Sequence, residues 1–160
     1  MAVQSDYRYS LTVNGSSQFE VVRFVLKEHL STLFRLELDL ASFGAEPNFH
    51  YLIDQPATLT FWQGDEAVRS VNGIVTALNQ GETGFTRTRY RMVIEPSLCR
   101  AGLQTDLRIF QQQDSQKIIE TLLSKNQVSQ SQFHLQTPYW TREYCVQYRE
   151  TDLNFIQRLA

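Results

Sequence analysis

Alternation of apolar and polar residues constrains the fold of this chain more than any other feature. The clearest case is LFRLELDLA, residues 33–41. Its apolar side chains take one face of an extended strand and its charged side chains take the other, namely Phe34, Leu36, Leu38 and Leu40 against Arg35, Glu37 and Asp39. This period of two predicts an antiparallel strand with one face buried and the other in water.

Five further stretches have the residue pattern of β-strands, which predicts a six-stranded β unit over the first 96 residues. The six are residues 7–13, 19–28, 33–41, 57–63, 67–80 and 85–96. Asn14-Gly15 is a strong turn signal, so residues 19–28 are expected to pair with the first strand as a hairpin. Gly73 predicts a bulge or bend, and Gly81–Gly84 predicts a turn. Strands at this spacing favour a sheet that closes into a barrel or folds into a sandwich.

The pattern changes after Pro96. DSQKIIETLLSKN has the helical spacing, with Asp114 or Ser115 as the N-cap. One face of this helix carries four apolar residues, Ile118, Ile119, Leu122 and Leu123. The polar stretch SQSQFHLQTPYW follows, and its Tyr139 and Trp140 are expected to cover a core edge or lie in a subunit interface.

The stretch REYCVQYRETDLNF, residues 142–155, begins as a strand and ends as a helix. Tyr144, Val146 and Tyr148 point one way, and Glu143, Cys145, Gln147 and Arg149 point the other. Thr151 or Asp152 can cap the helix, whose apolar residues are Leu153, Phe155, Ile156 and Leu159.

These elements predict a mainly β fold with short helices, an α+β protein with two parts. Residues 1–96 form an antiparallel β-barrel-like domain. Residues 97–160 form a helix-containing connection and the start of a second barrel-like β/α unit. The final helical pattern continues to Ala160 without a C-cap signal, which predicts that the native chain is longer.

Composition excludes several classes of function. The 160 residues carry 15 basic and 17 acidic side chains, a net charge of −2, so nothing attracts the chain as a whole to nucleic acid or to an acidic membrane. Cys99 and Cys145 match no zinc or redox spacing. The start of the chain lacks a Sec signal, and no apolar run is long enough to span a membrane. We expect synthesis in the cytosol with reduced thiols.

The sequence contains no recognisable catalytic motif. Cys145 could be a nucleophile, but His29, His50 and His134 lie on separate segments and form no local signature with it. A cysteine in the middle of a strand is more often a small packing residue. No hydrolase elbow, phosphate loop or zinc-protease motif is present. We therefore expect no enzyme activity, no cofactor and no metal.

Arg87, Arg89 and Arg91 lie on one face of the sixth stretch. They could form a nucleic-acid stripe, or a solvated face paired with acids on a neighbouring strand. The acidic balance of the chain favours the second. Likewise Gly81–Gly84 could clamp phosphates, but its alternating flanks favour a hairpin turn.

A family resemblance extends this interpretation. REYCVQYRETDLNFIQRL closely resembles the signature of the VgrG family, the spike proteins of bacterial type VI secretion. The positions that carry it are Arg142, Glu143, Tyr144, Cys145, Val146, Gln147, Tyr148, Arg149, Glu150, Asp152 and Phe155. DLRIFQQQDSQKIIETLL, FEVVRFVLKEHLSTLFRLELDLAS and VNGIVTAL resemble further elements of that family, in the same order.

The resemblance implies a fold like the phage baseplate hub, with two barrel-like units per subunit in a homotrimer. It implies a structural role as the base of the type VI spike, which docks on the hexameric tube and contacts baseplate and effector proteins. Such a protein is assembled in the bacterial cytoplasm and exported by its own apparatus without a signal peptide. The alternatives are the hub of a contractile phage or phage-like tail, a small β-barrel binding module, and an enzyme.

The resemblance also assigns the 142–155 stretch to a structural joint. Arg149, Glu150 and Asp152 are then expected to pair or cap where the strand turns into the helix.

Overall fold

The computed structural model describes residues 7–43, 48–129, 131–134 and 140–160. The polypeptide divides into two units, Met1–Pro96 and Ser97–Ala160. Tyr139, for which a covering or interface role is expected, lies outside the described residues.

The first unit is a curled, six-stranded antiparallel sheet in the order β1-β4-β5-β6-β3-β2. Its strands are β1 (Tyr7–Val13), β2 (Glu20–Lys27), β3 (Arg35–Ser42), β4 (Pro56–Gln63), β5 (Glu66–Thr83) and β6 (Thr88–Glu95). A short 3-10 helix, Phe49–Tyr51, precedes β4. The prediction of a mainly β, antiparallel, barrel-like fold is confirmed.

The concave face of this sheet holds the core, as the alternation predicts. Leu36, Leu38 and Leu40 of β3 are all buried, and Met92 and Ile94 of the neighbouring β6 lie beside them. Burying one such side chain contributes about 1.5–3 kcal/mol. The core therefore fixes which face of each strand turns inward, because a slip of one residue would expose the whole apolar set.

The predicted hairpin between the first two strands is wrong. Asn14 and Gly15 do form a tight turn with positive φ at both residues, and Val13 and Ser16 exchange backbone hydrogen bonds across it. The chain then leaves the turn and buries Phe19, whose ring packs edge-on against Tyr90 at 5.5 Å. β1 pairs with β4 and β2 pairs with β3, so β1 and β2 are the two edge strands of the sheet.

Gly73 has a different role from the predicted bulge or bend. Its pairing with Ala57 is in register, and the nearest register shift of β5 falls between Val75 and Ala77. A Cβ atom at Gly73 would lie 2.5 Å from the backbone oxygen of Glu95. Glycine is needed here because the end of β6 passes too close for a side chain.

On the solvent face of β6, Arg91 pairs with an acid of the neighbouring strand, as one of the two interpretations predicts for this arginine. Arg91 lies directly opposite Asp39 in the register of β3 and β6, and Arg91 Nε lies 3.4 Å from Asp39 Oδ1. At the far end of the same strands, Arg35 contacts both Glu37 and Glu95. This face is a charged, solvated sheet surface.

The second unit is a two-stranded antiparallel sheet covered on one face by two helices. Its elements are a 3-10 helix (Ser97–Gly102), β7 (Thr105–Gln113), α1 (Ser115–Lys125), β8 (Arg142–Thr151) and α2 (Asp152–Leu159). Asp114 caps α1 by accepting a hydrogen bond from the Lys117 backbone N–H at 2.8 Å. The predicted apolar face of α1 is buried, and the rings of Phe110 and Phe155 stack at 5.7 Å.

Candidate functional site

The 142–155 stretch forms a joint in which a strand passes into a helix without an intervening loop. Thr151 is both the last residue of β8 and the cap of α2, since its hydroxyl accepts from the Asn154 backbone N–H at 3.1 Å. Two residues earlier, Arg149 has a positive φ of 49°. It is the extra residue of a β-bulge, because Asp106 pairs with Glu150 while the adjacent Leu107 pairs with Tyr148. The bulge and the cap together set the direction in which α2 leaves the sheet.

A buried carboxylate organises the joint. Asp152 is 2% exposed and accepts hydrogen bonds from Lys125 Nζ, Asn126 Nδ2 and Gln147 Nε2 at 2.9, 2.9 and 2.8 Å. Burial by itself would raise the pKa of Asp152, but these three donors outweigh it and lower the pKa. The carboxylate also lies in the first turn of α2, where the helix dipole favours a negative charge. Asp152 thereby connects α1, β8 and α2.

Asp106 extends this cluster to β7. Lys125 Nζ lies 3.3 Å from Asp106 Oδ2 and so joins the two carboxylates. Asp106 also accepts from the Leu107 backbone N–H at 2.8 Å and pairs with Arg108. The pKa of Asp106 is lowered, chiefly by that backbone hydrogen bond. One lysine at the end of α1 thus links the start of β7 to the start of α2.

Glu150 makes the second link between β8 and α2. Arg158 Nη2 lies 2.7 Å from Glu150 Oε1 and donates a further hydrogen bond to the Val146 carbonyl at 3.1 Å. The same guanidinium lies over the Phe155 ring, 4.9 Å from its centroid. The hydrogen bond from Arg158 lowers the pKa of Glu150. The carboxylates of the joint are thus held ionised by their partners, which suits a fixed connection better than proton transfer.

The remaining positions of the signature divide between the two faces of β8. Cys145 is buried in the apolar core of the unit, where it is a small packing residue. Arg149, which is expected from the resemblance to pair or cap at the joint, makes no ion pair with the other described residues. Its guanidinium instead lies 5.6 Å from the centroid of the Tyr148 ring. Arg142, Glu143 and Tyr144 are exposed.

Sequence reasoning missed the most important polar residue of the joint. Gln147 has no solvent exposure, whereas the alternation of the strand only assigns it to one of two faces. Its Nε2 donates to Asp152 and to the Glu150 carbonyl. One signal in the sequence could have indicated its burial. Gln147 lies two residues after Cys145, and therefore on the same strand face as that small apolar residue.

No metal site accompanies this cluster. In the part of the chain that the structure describes, no group of three or more His, Cys, Asp or Glu residues could hold a metal ion. His29, His50 and His134 are all exposed. None of the helices among the described residues is long and apolar enough to cross a membrane.

Comparison with known proteins gives a consistent set of similarities. A model of the family described as phage tail baseplate hub (GPD) matches residues 27–160. The chain is 39% identical over 158 residues to the type VI secretion system spike protein VgrG2a of Pseudomonas aeruginosa, a match covering 98% of this chain and 19% of VgrG2a. It is 41% identical over 127 residues to the spike protein VgrG3 of Vibrio cholerae, covering 79% of this chain and 12% of VgrG3.

A solved structure agrees in fold. The E. coli c3393 protein, described as a component of the type VI secretion system with structural similarity to T4 bacteriophage tail proteins gp27 and gp5, superposes with a TM-score of 0.81 at 26% identity. The match covers 93% of this chain and 42% of that one. The chain thus spans a minor part of each of these proteins.

Proposed function

The chain belongs to the phage tail baseplate hub (GPD) family, and from this membership we propose that it forms part of the base of a type VI secretion spike. The observation that carries the proposal is the 39% identity to VgrG2a over 98% of this chain. The match covers both units, so the strand-to-helix joint lies within it as well as the strands of the first unit.

We propose a structural role without catalysis or cofactor for these residues. Asp152, Asp106 and Glu150 are committed to cationic or hydrogen-bonding partners, and Cys145 is packed in an apolar core. A spike base has to keep its elements in fixed orientations under load, and a bulged strand that passes directly into a capped helix meets that need. Residues 1–96 would form the first barrel-like domain, and residues 97–160 the connection and the start of the second.

The proposed assembly is a homotrimer that docks on the hexameric tube of the apparatus. Baseplate and effector proteins would be its other partners, and nucleic acid would not. The protein would assemble in the bacterial cytoplasm and leave through the type VI apparatus without a signal peptide. Because the chain spans 19% of VgrG2a, piercing and effector functions would belong to other parts of a longer protein.

A second candidate is the hub of a contractile phage or phage-like tail, which the description of the matching family favours. Both roles need the same rigid base, so the fold by itself does not separate them. Export separates them, because a spike protein leaves the cell through the apparatus and a phage hub is built into a virion.

A domain exchange tests the proposal. The matched region of P. aeruginosa VgrG2a is replaced by residues 1–160 of this chain, with an epitope tag at the C-terminus. We expect the tagged chimera in the culture medium of cells with an active apparatus, and absent from the medium of cells whose apparatus is inactivated. A chimera that accumulates as folded protein inside active cells and is not released would contradict the proposal.

A further inference from the structure

Arg89 of β6 differs from its neighbour Arg91 in having no acid opposite it on β3. Its partner in the register of the two strands is Ala41. On the β5 side it lies beside Gly81, where a Cβ atom would be 3.6 Å from the Arg89 Cβ. Arg89 is exposed and makes no ion pair with any described residue. Its guanidinium is therefore available to a carboxylate from outside the chain.

A bulge in the edge strand β2 brings a second arginine to the same face of the sheet. Val21 pairs with Leu40, and Arg23 pairs with Asp39. Val22 is therefore an extra residue without a partner on β3. In a regular strand Arg23 would share the inward face of Val21, two residues before it. The bulge instead aligns Arg23 with Asp39 on the solvent face, where it makes no ion pair with the described residues.

Three arginines line one groove of about 650 Å³ on the solvent face of the first unit, namely Arg23, Arg89 and Arg91. We call it the arginine groove. Its acids are Asp39 and Glu82, so three guanidinium groups face two carboxylates, in a chain whose net charge is −2. Asp39 is paired with Arg91 at 3.4 Å, but the arginine side chain is 73% exposed, and such exposed pairs contribute little. The groove is thus a locally positive site on a weakly acidic chain.

The lining of the arginine groove is typical of a protein contact and differs from that of a small-molecule pocket. Small-molecule sites are mostly apolar and bury most of the surface of the ligand. Exposed charged and amide side chains dominate here, among them Arg23, Arg89, Asn79 and Glu82. Clusters of arginine bind acidic motifs of proteins, because each guanidinium donates charge-assisted hydrogen bonds to a carboxylate.

The positions of the arginines fit an extended segment. Arg89 and Arg91 are two residues apart on one face of β6, so their Cα atoms are roughly 6.6–6.8 Å apart. Carboxylates at alternate positions of an extended segment have the same spacing. Nucleic acid fits less well, because Asp39 and Glu82 would meet a backbone with a charge at every nucleotide. A protein segment can place neutral or basic residues opposite those two acids.

We propose that the arginine groove binds an acidic, extended segment of a partner protein. Arg23 and Arg89 donate to its carboxylates, and Arg91 contacts the incoming segment while it remains beside Asp39. The bulge at Val22 is part of this site, since it turns Arg23 to the solvent face. The interaction goes beyond the spike role and does not depend on it.

Fluorescence anisotropy of a labelled peptide with the purified 160-residue chain tests this proposal. The probe has about eight residues, glutamate alternating with threonine, since threonine favours an extended chain. We expect saturable binding that weakens as the salt concentration rises, and no binding of the peptide with glutamine in place of glutamate. Arg89→Gln and Arg23→Gln should each weaken binding roughly fivefold, the effect of losing one partly exposed charge pair.

Arg8→Gln is the matched control, because Arg8 is an exposed arginine of the same sheet that lies outside the groove. It should leave the affinity for the peptide unchanged. Arg89→Lys keeps the charge without the planar fork of the guanidinium, and should retain more of the affinity than Arg89→Gln. Circular dichroism checks that each variant is folded.

Three outcomes would overturn the inference. The first is a folded wild-type chain that shows no saturable binding at millimolar concentrations of the glutamate peptide. The second is an equal loss of affinity in Arg8→Gln and Arg89→Gln, which would mean that binding follows the overall charge. The third is a single-stranded oligonucleotide that displaces the peptide and binds more tightly through the same arginines. Export of the VgrG2a chimera tests the spike role separately, so either proposal can fail while the other stands.

Discussion

The amide of Gln147 donates to the carboxylate of Asp152 across 2.8 Å, and both side chains are shielded from solvent. The two residues belong to different elements, β8 and α2, and flank the bulge and the cap between them. A polar pair in this position holds the helix in one direction relative to the strand.

Asp152→Ala should lower the stability of the second unit substantially. The change removes the shared acceptor of Lys125, Asn126 and Gln147. Of the three donors only Gln147 is fully buried, and a buried group that loses a partner costs about 1–3 kcal/mol. Urea unfolding followed by circular dichroism measures the loss. Asp65→Ala is the control, since Asp65 is fully exposed and faces Arg8 at 3.4 Å. Equal midpoints for the two variants would show that the buried cluster does not hold the joint.

The stability of the joint should decrease as the pH falls. The pKa of Asp152 and the pKa of Glu150 are both lowered in the folded chain, whereas the unfolded values are about 3.9 and 4.3. The folded state therefore binds fewer protons, so the stabilisation is complete above about pH 4.5 and is lost as the pH falls through the folded-state pKa. Urea midpoints between pH 7 and pH 3 should fall with acid, and less steeply in Asp152→Asn. Parallel curves for the two proteins would be inconsistent with this mechanism.

Gln147→Glu should reverse the sign of that pH dependence. The new carboxylate would face Asp152 in a buried site, so the pKa of the pair would rise above the unfolded values. The loss of stability at neutral pH should be on the order of 1–3 kcal/mol, the cost of an unpartnered polar group in a buried site. The deficit relative to the wild type should shrink as the pH falls and both carboxyls become protonated. Gln111→Glu, an exposed position on β7, should show no such recovery; a pH-independent deficit in Gln147→Glu would contradict the prediction.

Gly73→Ala should destabilise the first unit because there is no space for a methyl group. A Cβ at Gly73 would meet the Glu95 backbone oxygen at 2.5 Å, and such overpacking costs about 1–3 kcal/mol. Gly81→Ala is the matched control, since a Cβ there meets its nearest atom at 3.5 Å. Thermal unfolding should show a clearly lower midpoint for Gly73→Ala than for Gly81→Ala. Indistinguishable midpoints would mean that the sheet relaxes around the methyl group at little cost.

The features that could be predicted from the sequence are those that depend on neighbouring residues alone. The faces of β3 follow from a period of two that any extended strand imposes, and the cap of α1 at Asp114 follows from the side chain next to the first helical turn. The hairpin after Asn14-Gly15 was wrong because a turn signal does not specify which strand continues the pairing. In the structure β1 pairs with β4, which is distant in sequence, and β2 pairs with β3.

The polar cluster of the joint could not be predicted for the same reason. Its members come from β7, α1, β8 and α2, and Lys125 is 27 residues from Asp152 along the chain. Sequence spacing marks Asp152 as a possible cap, but the cap is Thr151, and Asp152 turns inward. Only the packing of α1 against α2 brings the lysine and the carboxylate together.

The most direct test of the spike role is the arrangement of this segment in an assembled protein. Electron microscopy of the purified VgrG2a chimera would show it. The account predicts threefold particles in which three copies of residues 1–160 form one closed ring at the base. Three separate, unconnected lobes at that end, in a chimera whose remaining parts have trimerised, would contradict it.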